Sequence, residues 1–157
     1  MHPSVTKICA DFFGARRSEP RDLNHWYFSD NEKDANELAQ LVLAGEKRAT
    51  SPSLWWFEAN GESIPAEGDL EVVTNWDGEA QCIVETTKVE IVPFNEISEE
   101  YAQTEGEGDK SLDYWRHVHW AYYQRELRDT DFDRVEDMPI VCMRFRVVFP
   151  ATGNIGV

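Results

Sequence analysis

Basic residues are scarce. Fifteen Lys and Arg stand against thirty Asp and Glu, a formal charge of −15. A surface this acidic repels phosphate backbones and anionic lipid, so neither DNA nor a membrane is an expected partner, and an RNA would need a local basic groove. Cysteine is also sparse. Cys9, Cys82 and Cys142 lie far apart with no C-x-x-C spacing. That argues against a zinc ribbon or a disulfide framework and points to a reducing, cytoplasmic setting. No apolar run is long enough for a transmembrane span, and MHPSVTKICADFFGARR is too weakly apolar for a signal peptide. The signatures G-x-S-x-G, G-x-G-x-x-G, H-E-x-x-H and the Walker loop are all missing.

What remains is the composition of a globular protein: 41% hydrophobic and 12% aromatic residues, with six Trp. A chain of this length is expected to form one domain that buries roughly 70% of its unfolded surface. Residues 5–13 predict a short helix, followed by a loop carrying Arg16, Arg17 and Arg21. In SDNEKDANELAQLVLAG, Ser29 and Glu32 match a capping box, Ala35, Leu38 and Val42 share a face, and Gly45 marks the stop. From LWWF onward the pattern reads as strands, with a hairpin turn at Asp77-Gly78 and a change of alternation near Thr86 to Lys88 that suggests a bulge. FNEISEEYAQ reads as a short helix and residues 111–127 as a long one, with Leu112, Trp115, His119, Tyr122 and Tyr123 on one side. VCMRFRVVF is the cleanest strand, and ATGNIGV is expected to fray. The expected class is α+β: a small, mostly antiparallel sheet, curled into a barrel, with helices at its rim.

Three stretches could carry chemistry. EGEGDKSLDYW threads Glu105, Glu107 and Asp109 between glycines, which suits a hard cation. A calcium loop would need a bidentate Glu at its twelfth position, however, and Arg116 stands there. A magnesium site or a solvated turn capped by Asp109 or Ser111 both stay open. In HVH, His117 and His119 diverge on a helix, so they are not expected to share a metal. His119 is expected to be a hydrogen-bonded histidine on the aromatic face. Trp55, Trp56 and Trp115 read either as core or as platforms for a base. GEKRATS follows a helix end and offers an amine and two hydroxyls, so that Lys47 and Thr50 could act as base and nucleophile.

Taken in order, LVLAGEKRATSPS, IVETTKVEIVPFNEIS, EGEGDKSLDYWRHVH and VCMRFRVVF resemble an ASCH domain of the PUA-like superfamily over residues 26–149. Residues 1–25 would then be an N-terminal extension packed on the domain, and 150–157 a C-terminal tail. The resemblance implies a β-barrel with a cleft between GEKRAT and EGEGD. Short bacterial relatives remove an acyl group from N4-acetylcytidine with a Lys, a Thr and a Glu, which correspond here to Lys47, Thr50 and Glu105. Around them, Arg48, Ser51, Trp55, Glu107, Asp109, Trp115 and His119 are expected to contact substrate. The GEGDKSLDYW continuation and the N-terminal segment depart from those short relatives.

Three functions stay open under the resemblance. The favoured one is an amidohydrolase of N4-acylcytidine-like nucleosides or related small amides, with no metal or other cofactor. The second is a ribonuclease on single-stranded RNA, with a divalent ion such as Mg held by Glu105, Glu107 or Asp109. The third is a non-catalytic module for RNA or a modified base. Carboxylates suit the donor edge of a base better than a phosphate, which favours a neutral nucleoside as partner. The oligomeric state is left open.

Overall fold

The computed structural model describes residues 1–150. The elements in chain order are α1 (Pro3–Ala15), β1 (His25–Trp26), α2 (Glu32–Leu43), β2 (Ala49–Thr50), α3 (Leu54–Asn60), β3 (Leu70–Thr74), β4 (Ala80–Pro93), α4 (Glu99–Glu105), α5 (Leu112–Glu126) and β5 (Pro139–Phe149). The class is α+β, as expected. The strands form a mixed five-stranded sheet in the order β1-β3-β4-β5-β2, with β1 parallel to β3. The sheet does not close. β1 and β2, two residues each, are its edges, and edges this short offer little for a barrel seam.

Backbone contacts divide the chain into two compact units. The first comprises Met1–Gly45, Gly68–Glu85 and the chain from Phe145 onward. In it α1 buries Val5, Cys9, Phe12 and Phe13 against Leu23, Val72 and Ile83. α2 buries Ala35, Ala39 and Val42, and the last two join a cluster with Phe28, Val73, Cys82, Val84 and Phe145. The α2 cap is Asn31, whose side chain accepts the Asp34 N–H, rather than the expected Ser29. Ser29 instead takes a positive φ of 64°, which removes it from a capping geometry. β3 and β4 form the expected hairpin around Gly78 (φ 85°), and their pairing has a register shift between Val73 and Thr74.

The second unit comprises Glu46–Glu67 and Thr86–Arg144. Its core gathers Ala49, Phe94, Ile97, Tyr101, Ala102, Trp115, Tyr123, Leu127, Met138, Ile140 and Cys142. LWWF, expected as strand, is the first turn of α3. Ser53 caps it by accepting the Trp56 N–H, and Gly61 ends it at φ 64°. The cap decides the matter, because it satisfies a donor that a strand would send to a neighbour. α4 and α5 start in the same way, on Ser98 and Ser111. In β5, Ile140 to Met143 are buried without alternation, so this end of the strand is covered on both faces. Cys9, Cys82 and Cys142 are buried and unpaired. The ATGNIGV segment lies outside the described residues.

Candidate active site

The second unit holds a buried cluster of charges, and the backbone of residues 49–53 is built into its wall. Five polar groups along this run, four carbonyls and one N–H, each have a partner. The Ala49 carbonyl accepts from Lys47 Nζ (2.7 Å), the Thr50 carbonyl from the Tyr101 hydroxyl (2.8 Å), the Ser51 carbonyl from the Tyr123 hydroxyl (2.7 Å), and the Pro52 carbonyl from the Val141 N–H (2.8 Å). The Ser53 N–H goes to Glu126 (3.1 Å). A segment this fully bonded is a fixed platform. The preceding loop is equally constrained. Arg48 N–H donates to the Thr104 carbonyl (2.9 Å), and Lys110 pairs with Glu46. Gly106 closes the contact: a Cβ there would lie 1.9 Å from the Glu46 carbonyl oxygen, and its φ is 72°. Only glycine meets both conditions.

Lys47 and Glu105 are each 1% exposed and lie 2.8 Å apart. Lys47 Nζ also reaches Glu107 at 2.8 Å, and the Glu107 side chain is 15% exposed. The ammonium therefore spends its three protons on Glu105, Glu107 and the Ala49 carbonyl. On Glu105 the second oxygen, Oε2, accepts from the Ser51 hydroxyl and from Trp115 Nε1 (2.6 Å), with His119 Nε2 at 3.3 Å. Ser51 has one proton, and the carboxylate requires it; Tyr101, 2.9 Å from Ser51 Oγ, spends its own on Thr50. His119 stacks on Trp115 with ring centroids 4.2 Å apart and places Nδ1 2.9 Å from the Trp115 carbonyl. A carbonyl only accepts, so Nδ1 carries a proton.

These contacts set the protonation states. Burial pushes the Glu105 carboxyl up, but the charges of Lys47 and His119 outweigh it and hold it well below the usual range. Burial lowers Lys47, yet Glu105 and Glu107 raise it further than burial lowers it, so it is an ammonium. For Glu107, burial and the charge of Glu105 prevail over Lys47, and its pKa is raised. Burial lowers His119 and the Glu105 charge more than compensates, so the imidazole is displaced toward imidazolium. Two neighbouring carboxyls pushed in opposite directions is the usual condition for dividing acid and base roles.

The other residues anticipated for the site differ in how close they come to this cluster. Thr50 is half-buried on β2, next to the platform carbonyls. Arg48 and Asp109 are exposed, and Asp109 accepts the Ser111 N–H at the start of α5. Trp115 is buried as a donor to Glu105, which leaves no open ring face for a base. Half-buried Trp55 stacks on Phe132 at 5.2 Å. His117 is exposed and His119 buried, so the two rings diverge. Three residues were not anticipated for the site: Tyr101, Tyr123, which was expected only on the aromatic face of α5, and Glu126. The last two continue the face of α5 that carries Trp115 and His119, at spacings of three and four, and that was the available signal.

The chain matches the family model for the ASCH domain over residues 24–149. It belongs to the ASCH domain family. Among solved structures, an ASCH domain from Lactobacillus crispatus is 38% identical with a TM-score of 0.87, covering 94% of this chain and 96% of that one. A protein from Enterococcus faecalis is 33% identical, also with a TM-score of 0.87, covering 94% of this chain and 90% of that one. No curated protein matches. Among the described residues of this ASCH domain, no helix is long and apolar enough to cross a membrane.

The donor set also bears on the metal that a ribonuclease reading would require. Glu105, Glu107 and His119 each offer a ligand atom, all within 4.8 Å of one another. Lys47 Nζ already sits on both carboxylates. With the ammonium there, the residues do not fit a divalent ion.

Proposed function

We propose that this ASCH domain is a metal-independent amidohydrolase of small N-acylated amides, with N4-acylcytidines as the leading candidates. The supporting observation is the buried Lys47 held between two carboxyls of opposite pKa displacement, beside the Ala49–Ser51 platform. An ammonium has no lone pair with which to accept a proton, so Lys47 acts as a base only after losing one. Glu107 is the group suited to take it. Its carboxyl is pushed up, and a substrate that shuts water away from it raises it further.

With Lys47 neutral, the Thr50 hydroxyl attacks the acyl carbon and gives its proton to the amine. The tetrahedral intermediate then expels the exocyclic nitrogen of the base, which takes the proton back from Lys47. Water hydrolyses the acyl-Thr50 ester, and the products are a carboxylic acid and the free amine. Glu105 does not meet substrate in this scheme. Its oxygens are occupied by Lys47, Ser51, Trp115 and His119, and it holds the cluster in place.

The test is a hydrolysis screen of N4-acylcytidines and single-stranded RNA, each with and without chelator. The expected result is release of cytidine with chelator present. RNA cleavage that chelator abolishes would establish the ribonuclease instead, and binding without turnover would establish a non-catalytic module.

A further inference from the structure

We infer that Lys47 is a tethered cation occupying a latent divalent-metal site, so that its ammonium and a metal ion exclude one another there. This rests on the geometry alone and holds whichever substrate the protein takes. Three oxygens converge on Nζ: Ala49 O at 2.7 Å, Glu105 Oε1 at 2.8 Å and Glu107 Oε2 at 2.8 Å. Glu105, Glu107 and His119 have ligand atoms mutually within 4.8 Å. Two carboxylates and an imidazole are a donor set that zinc accepts, with water completing the shell.

The charges make the exclusion strict. The two carboxylates already hold one cation, the Lys47 ammonium, at 2.8 Å from each. A metal added beside Lys47 would place a dication within a few ångströms of a buried ammonium, which opposes it strongly. The same donors in a chain with a shorter or uncharged residue at position 47 would form an open metal site. The identity of one side chain therefore sets whether this cluster is built around a tethered amine or around an exchangeable ion.

The probe is Zn²⁺, titrated by calorimetry into metal-stripped wild type, Lys47→Met and Lys47→Met/Glu107→Gln. Methionine keeps the apolar length of the stem and removes the charge. The double variant subtracts zinc held adventitiously by an acidic surface. Lys47→Met is expected to bind one zinc at least about 100-fold tighter than wild type, as removal of a like charge at contact distance implies. The double variant should lose that binding. Wild type and Lys47→Met binding alike, or a double variant that keeps the tight site, would overturn the inference. If Lys47→Met unfolds without metal, circular dichroism decides: refolding on added zinc, absent in the double variant, supports the inference, and failure to refold overturns it.

Discussion

Glu105 is the residue on which the cluster turns. A fully buried carboxylate is tolerated here because four donors surround it. Removing its charge leaves Lys47 and His119 without their main counter-ion. Glu105→Gln should therefore destabilise the protein by roughly 3–5 kcal/mol in urea unfolding, the usual cost of breaking a buried pair from one side. It should also change the sign of a pH effect. In the wild type, the raised His119 contributes stability that is full below the ordinary value of 6.5 and is lost as pH rises through the folded value. Without Glu105, burial becomes the dominant influence on the imidazole and its pKa should fall below 6.5. NMR titration of the His119 ring reads this directly. A ring pKa that stayed raised in Glu105→Gln would show that another group supplies the field.

At the scale of elements, the site depends on how tightly the turn after α4 fits the loop after α2. Gly106 is the contact point. Gly106→Ala should cost about 1–3 kcal/mol from overpacking, with a positive φ added. It should also shift the Lys47 signals, because the Glu46 carbonyl must move. Thermal unfolding and the Lys47 side-chain NMR signals test both parts; an unchanged Lys47 environment would separate the loop fit from the site.

The same scale shows what is legible in the sequence. The helices at 32–43 and 112–126 follow from periodicity, although the first is capped by Asn31 rather than Ser29, and the β3–β4 hairpin follows from its Asp77-Gly78 turn. LWWF misleads because aromatic bulk outweighs a single serine cap. The association of Lys47 with Glu105 is readable only through the family resemblance. The links from Ser51 to Tyr101 and Tyr123 span 50 and 72 residues, and no local pattern announces them.

For the whole molecule, a net charge of −15 disfavours a long polyanion and leaves small neutral substrates as the better match. The barrel and the open sheet illustrate a similar limit. Strand content is set by local pattern, but closure depends on edge length, and β1 and β2 carry only two residues each. The proposed chemistry comes down to one hydroxyl. Thr50→Ala keeps the carbonyl that Tyr101 uses, so the platform should survive the change. The decisive measurement is the rate of cytidine release from N4-acetylcytidine by wild type and Thr50→Ala, in chelator at neutral pH, with folding checked by circular dichroism. The expected result is wild-type turnover and a loss of at least about 100-fold in the folded variant, the scale of a missing nucleophile or its proton transfer. A folded Thr50→Ala with wild-type turnover, or a wild type that ignores the nucleoside, would contradict it.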